Sequence, residues 1–132
     1  ARAQLVNEVI KPALKKGKII VCDRFLDSTL AYQGYGLGMD IKSIKYIGNF
    51  VTAGIKPDLT IFLDLAVEKG LARCGAIMDR IENRSCEYPV RGRRGYLKLA
   101  HLQPERIKIV KVIKDKAVTQ QKIRALVEKH VL

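Results

Sequence analysis

In the stretch VCDRFLDSTLAYQG, residues 21–34, an apolar run stops at an acid beside a base, Asp23 and Arg24. Polar groups follow at Ser28, Tyr32 and Gln33. Arg24, Ser28 and Tyr32 stand four residues apart, so on a helix they share one face. Phosphoryl transfer asks for this combination. It needs a carboxylate at a strand end to hold magnesium, and fixed positive charge to neutralise phosphate oxygens. Arginine suits the second role because its planar fork binds phosphate in two places and never deprotonates. Taken singly, the same residues have plainer readings. Asp23 is a helix cap, Arg24 half of a surface ion pair, Ser28 a helix-start residue and Tyr32 a core ring.

The elements that would position these groups alternate between helix and strand. Helical periodicity runs over residues 2–16, with Pro12 expected to kink it and Gly17 to stop it. KIIVC, residues 18–22, is short, β-branched and unalternating, which predicts a strand buried on both faces. DSTLAYQG predicts a short helix capped by Asp27, and GYGLGMD a flexible connector. Asp40 is placed to cap a helix of about fourteen residues carrying Ile41, Ile44, Ile47 and Val51. LTIFLDL predicts a second strand, AVEKGLARCGA a helix, IMDRIENRS a charged connector and GYLKLAHL a helix. RIKIVKVI then predicts a third strand, and AVTQQKIRALVEKHV a closing amphipathic helix. Strands spaced by helices mean parallel pairing, so the expected architecture is α/β, a doubly wound parallel sheet with flanking helices. Ligands of such sheets sit beyond the carboxyl ends of the strands, where Asp23 and Arg24 fall.

Composition narrows the class. A chain of 132 residues with 48% hydrophobic and 29% charged content suits a single globular domain over residues 1–132. No apolar stretch approaches the roughly 18–20 residues of a membrane span, so no membrane partner is expected. The three cysteines, Cys22, Cys74 and Cys86, form no CxxC pair, which argues against a zinc site or a disulfide framework and fits a cytoplasmic location. Most of the net charge of +12 falls in the second half, which favours anionic partners. Aromatics make up only 6% and no stacking or groove-reading motif appears, so a basic nucleic-acid-binding domain is the weaker reading and no nucleic-acid partner is expected. The glycine-rich GYGLG lacks a following Lys-Ser/Thr and is not a phosphate-cradling loop.

Taken in order, DRFLDSTLAYQG, GYGLGMD, KPDLTIFLD, GLAR, DRIE and GYLKLA resemble thymidylate kinase (dTMP kinase) of the bacterial type, one of the P-loop nucleoside monophosphate kinases. The upstream ARAQLVNEVIKPALKKGK fits the same family, and the resemblance covers nearly the whole chain. It implies transfer of the γ-phosphoryl group of ATP to dTMP, with Mg2+, giving dTDP for dTTP biosynthesis. Asp23 matches the magnesium-side carboxylate, acting through water. Arg24 matches the arginine bridging the dTMP phosphate and the transferred phosphoryl group. Ser28 and Gln33 match positions facing the pyrimidine edge, and Tyr32 a ring set against the deoxyribose that crowds a 2′-hydroxyl. Arg2 falls where an arginine meets the thymine carbonyl. The resemblance also implies a homodimer of the complete protein, and the apolar stripe of residues 41–54 is either its surface or part of the core.

GLARCGAIMDRIENRS resembles the family's lid, about residues 73–86, with Arg73 and Arg80 as the arginines brought to the transferring phosphate. Between them CGAIM stands where bacterial-type members usually carry another arginine. Pro89 and Gly92 interrupt a stretch that is usually continuous helix, which is tolerable if the helix starts near Tyr88 and Pro89 falls in its first turn. The family's first strand and its GxxxxGK[ST] loop are expected before Ala1, so the chain reads as the C-terminal part of a thymidylate kinase domain and as inactive in transfer on its own. Another nucleotide or deoxynucleoside kinase is the competing enzyme reading, since an Asp-Arg pair after a strand also suits those relatives.

Overall fold

The computed structural model describes residues 1–65 and 87–132. The first helix, α1, is one helical run made of Arg2–Leu5, Val6–Ile10 and Lys11–Lys15. Its middle stretch has the wider π geometry, with the Lys11 N–H bonded to the Val6 carbonyl five residues back. Pro12 follows at once and has no N–H to give, so the run widens beside it instead of breaking. Gly17, with φ of 68°, ends the run, and the Lys18 N–H closes onto the Ala13 carbonyl at 3.1 Å. Val6 and Ile10, one turn apart, are the buried face.

Residues 18–22 correct the expectation of a buried strand. They are not paired into a sheet, and Val21 is 95% exposed. An extended segment cannot bond its own N–H and C=O groups to one another, and no partner strand lies beside it among the described residues. The sheet here has two parallel strands, β1 (Thr60–Asp64) and β2 (Ile107–Lys111), in the register Thr60 to Ile107 through Asp64 to Lys111.

Between them in sequence comes α4, Glu87–Leu102, whose described part places Pro89 in the first turn, as expected. The lid residues Arg73 and Arg80, with Cys74 and Cys86, lie outside the described residues, as do the helix and connector expected between β1 and α4.

The second helix, α2, joins Leu26–Thr29 to a π-helical stretch, Leu30–Gly36, so GYG is helical rather than a connector. The expectation that Asp27 caps it is also corrected. Phe25 occupies the cap position, and Asp27 turns inward, 5% exposed. Its two oxygens each accept from Arg106, Nη1 and Nη2, at 2.7 Å, and Oδ2 accepts from the Thr60 hydroxyl at 2.8 Å. Arg106 Nε donates to Gln103 Oε1 at 3.0 Å. One buried ion pair thereby ties α2 to the beginnings of both strands and to the segment leaving α4.

Helix α3, Ile41–Val51, is capped by Asp40, which accepts from the Ser43 N–H at 2.8 Å and the Ser43 hydroxyl at 2.6 Å. Those bonds hold the exposed Asp40 carboxyl below its ordinary range, the hydroxyl contributing most. The last helix, α5, Lys116–His130, is capped the same way by Asp115, which accepts from Ala117 N–H at 2.8 Å. Val6, Ile10, Phe25, Leu26, Leu30, Ala31, Ile44, Leu99, Ala100 and Ile107 form the core, in which α2 lies against α4. Burying these apolar groups is the main favourable term, worth about 1.5–3 kcal/mol for each large side chain.

Candidate nucleotide-binding site

Asp23 and Arg24 form the bend between residues 18–22 and α2, and both are exposed. Arg24 adopts φ of 65°, a left-handed conformation that costs an L-residue with a side chain about 1–2 kcal/mol. Such strain persists where the surroundings hold it, and it gathers at ligand sites. Here it accompanies a definite placement. The Arg24 guanidinium lies over the Tyr32 ring, 5.5 Å from its centroid, although eight residues separate the two.

Tyr32 is half-buried and belongs to a ring cluster that α4 completes. Tyr88 lies 5.7 Å away in a tilted arrangement, and Tyr96 6.1 Å away edge to face. Tyr96 stacks in turn on Phe62 of β1, with centroids 4.5 Å apart and planes within 5°. Burial pushes the Tyr96 phenol above its ordinary value, partly offset by its hydrogen bond with Ser28. It therefore stays protonated through the neutral range. Ser28 itself is buried on α2.

The structure brings Arg24, Ser28 and Tyr32 into this one connected cluster. Arg2 is set apart from it, with its guanidinium over Phe25 at 5.7 Å from the centroid. Phe25 adjoins Arg24 in the chain, so the two arginines approach the same bend from different elements. Gln33 is exposed, and its backbone carbonyl accepts from the Met39 N–H at 3.1 Å.

Sequence reasoning missed the half of the cluster contributed by α4. Its signal is present in EYPVRGRRGY, where Tyr88, Gly92 and Tyr96 recur every four residues and so line one helical face. It also missed the fastening of α4 to the carboxyl end of β1. There Arg93 donates from Nε to Asp64 Oδ1 at 2.6 Å and from Nη2 to Oδ2 at 2.9 Å. This bidentate pair fixes how α4 approaches the strand end.

For magnesium, the donor set is sparse. Among the described residues no three His, Cys, Asp or Glu side chains gather into a metal cage. Asp64 is already committed to Arg93, whereas Asp23 presents an exposed carboxylate beside Arg24. A single carboxylate fits Mg2+ only in its usual mode, keeping waters and sharing the ion with phosphate oxygens. The arrangement as a whole offers guanidinium charge at an open bend, backed by a rigid aromatic wall, which suits an anionic ligand with a flat ring.

Comparison with known proteins identifies the family. The family model described as thymidylate kinase matches residues 1–123. A thymidylate kinase of Symbiobacterium thermophilum is 45% identical over 129 residues, covering 97% of this chain and 60% of the relative. One from Kosmotoga olearia is 43% identical over 134 residues, covering 100% of this chain and 62% of the relative. The crystal structure of thymidylate kinase from Ehrlichia chaffeensis matches with a TM-score of 0.68 at 30% identity, over 95% of this chain and 58% of that one. The chain thus spans about three-fifths of the length of these relatives. By sequence and by its α/β, P-loop-kinase architecture, it belongs to the thymidylate kinase family.

Proposed function

We propose that this chain supplies the nucleoside monophosphate side of a dTMP kinase, which transfers the γ-phosphoryl group of ATP to dTMP and yields dTDP and ADP. The observation that carries the reading is Arg24, held in a left-handed backbone conformation with its guanidinium over Tyr32. In this reading Arg24 bridges the dTMP phosphate and the incoming phosphoryl group, and the Tyr32 ring lies against the deoxyribose. Ser28, fixed by Tyr96, and Gln33 serve the pyrimidine edge, while Arg2 serves the thymine carbonyl. A dTMP phosphate oxygen attacks the γ-phosphorus as the bond to the ADP oxygen breaks. The arginines neutralise charge on the equatorial oxygens. Asp23 would hold Mg2+ through water, and the bound ion would supply further charge neutralisation. Arg73 and Arg80 of the lid, about residues 73–86, would close over the transferring phosphate. The 132 residues contain no GxxxxGK[ST] sequence, so the cradle for the ATP β- and γ-phosphates is not among them. The chain alone should therefore bind dTMP as part of one domain without transferring phosphate.

Thermal unfolding with added ligands tests this. Millimolar dTMP should raise Tm by several degrees, which is the scale of linkage at about 100 times Kd. Thymidine, lacking the phosphate, should bind at least about tenfold more weakly, as expected for loss of a charge-assisted phosphate contact. Equal shifts with dTMP, dCMP and thymidine would remove the phosphate and base roles assigned here. Tight, steeply salt-dependent binding of duplex DNA with no response to dTMP would favour a nucleic-acid-binding domain instead.

The reading includes a homodimer in the cytoplasm. Among the described residues no helix is long and apolar enough to cross a membrane. On α3, Tyr46, Ile47 and Phe50 form an outward apolar face, with Phe50 84% and Tyr46 79% exposed. A second copy would cover this face. Sedimentation should report a dimer that Phe50→Glu converts to monomer with little change in the unfolding temperature of the monomeric unit. An unmodified chain that sediments as a monomer at tens of micromolar would remove this assignment.

A further inference from the structure

Glycine in the middle of α4 makes little sense as helix chemistry, because alanine is the better helix former at an interior position. The packing of Gly92 supplies a reason. A Cβ at Gly92 would lie 2.9 Å from both Cδ1 and Cε1 of Tyr32, closer than side-chain carbons tolerate. The Tyr32 ring has no easy retreat along α4, since Tyr88 and Tyr96 of that helix flank it one turn to each side. It is also not a loose side-chain tip, because the Arg24 guanidinium lies over it. A side chain at Gly92 therefore displaces the ring away from α4, together with the group that rests on it.

We propose that Gly92 is a positioning residue of the sugar pocket. It is the notch in α4 that seats Tyr32, and the depth of that seat sets how much room the sugar of a deoxynucleoside monophosphate has. The inference rests on the reading of Tyr32 as the wall of the sugar pocket and deepens it. Gly92 touches no ligand and acts through Tyr32 alone, so its effect must vanish when Tyr32 has no ring.

That dependence is the test. Gly92→Ala is made in the unmodified chain and in a Tyr32→Ala background, with unfolding temperature and dTMP dissociation constant measured for all four proteins. With Tyr32 present, Gly92→Ala lowers Tm and raises the dTMP dissociation constant about tenfold, the scale of one misplaced methyl group in a pocket. With Tyr32→Ala, the clash is gone. The added methyl group then raises Tm through helix propensity, and the dissociation constant changes less than about twofold, as for a site uncoupled from the ligand. The double variant has no overlap to relieve, so it stays informative even if Gly92→Ala alone folds poorly. A Tm change of the same sign in both backgrounds overturns the seat. The predicted reversal of sign, with equal effects on dTMP in both backgrounds, overturns the role in positioning the ligand. Absence of dTMP binding by the unmodified chain sinks the nucleotide reading itself, a result that the Tm reversal distinguishes from failure of the seat.

Discussion

Arg24→Ala should weaken dTMP binding by about 10- to 150-fold, the scale of losing hydrogen bonds to a charged group at roughly 1.5–3 kcal/mol. Arg24→Lys should recover only part of this, because a lysine keeps the charge but not the two-pronged fork that matches phosphate. Isothermal titration with dTMP measures both. The backbone supplies an internal control. Arg24 sits at φ of 65°, where any residue with a Cβ is strained and glycine is not. Arg24→Gly should therefore be more stable than Arg24→Ala by about 1 kcal/mol while binding dTMP no better. Stability and affinity would then move independently at one position, as expected where a site holds strain for function. If Arg24→Ala binds dTMP within threefold of the unmodified chain, Arg24 does not meet the phosphate. If Arg24→Gly is the less stable of the two, the left-handed conformation carries no strain.

The parts of this architecture that were legible in the sequence are those that local chemistry decides. Asp40 caps its helix because a short carboxylate before an apolar repeat reaches the first free N–H groups. TIFLD and IKIVK form strands because β-branched and apolar residues suit a covered sheet. What could not be read was tertiary. KIIVC has the composition of a strand, yet a strand is a relation between two segments, and residues 18–22 have no neighbour to pair with among the described residues. Asp27 carries a cap residue's side chain, but the helix starts one residue before it, with Phe25 at the cap, and its carboxylate pairs with an arginine seventy-nine positions later. The acid–arginine bend and Tyr32 were visible as a pattern. Their aromatic backing was not, because Tyr88, Gly92 and Tyr96 come from a helix that only the fold brings against α2.

That same buried pair sets the second large effect. Arg106→Ala should destabilise the chain by about 3–5 kcal/mol, since it strands a carboxylate that is 5% exposed among the strand starts. Total stability for a chain of this size is on the order of 5–15 kcal/mol, so urea unfolding should show a large drop in midpoint. The cause would be desolvation of an unpaired charge, not loss of a favourable bond, and the two differ in what repairs them. Replacing both partners with apolar side chains, Asp27→Leu with Arg106→Met, removes the buried charge altogether. It should return stability to within about 1 kcal/mol of the unmodified chain, or above it. Thr60 loses its acceptor in that double variant, so adding Thr60→Val should recover what remains by removing an unpaired hydroxyl. The Asp64–Arg93 pair provides a contrast from the arginine's side only. Asp64→Ala would leave a guanidinium 37% exposed against 17% for Arg106, so water can take over more of that charge. Arg93→Ala, by comparison, would strand a carboxylate only 9% exposed. A drop below 1 kcal/mol for Arg106→Ala would mean that Asp27 finds water or another partner. A double variant as unstable as the single would place the value of the pair in its geometry, fastening α2 to β1 and β2, and not in the charge it neutralises.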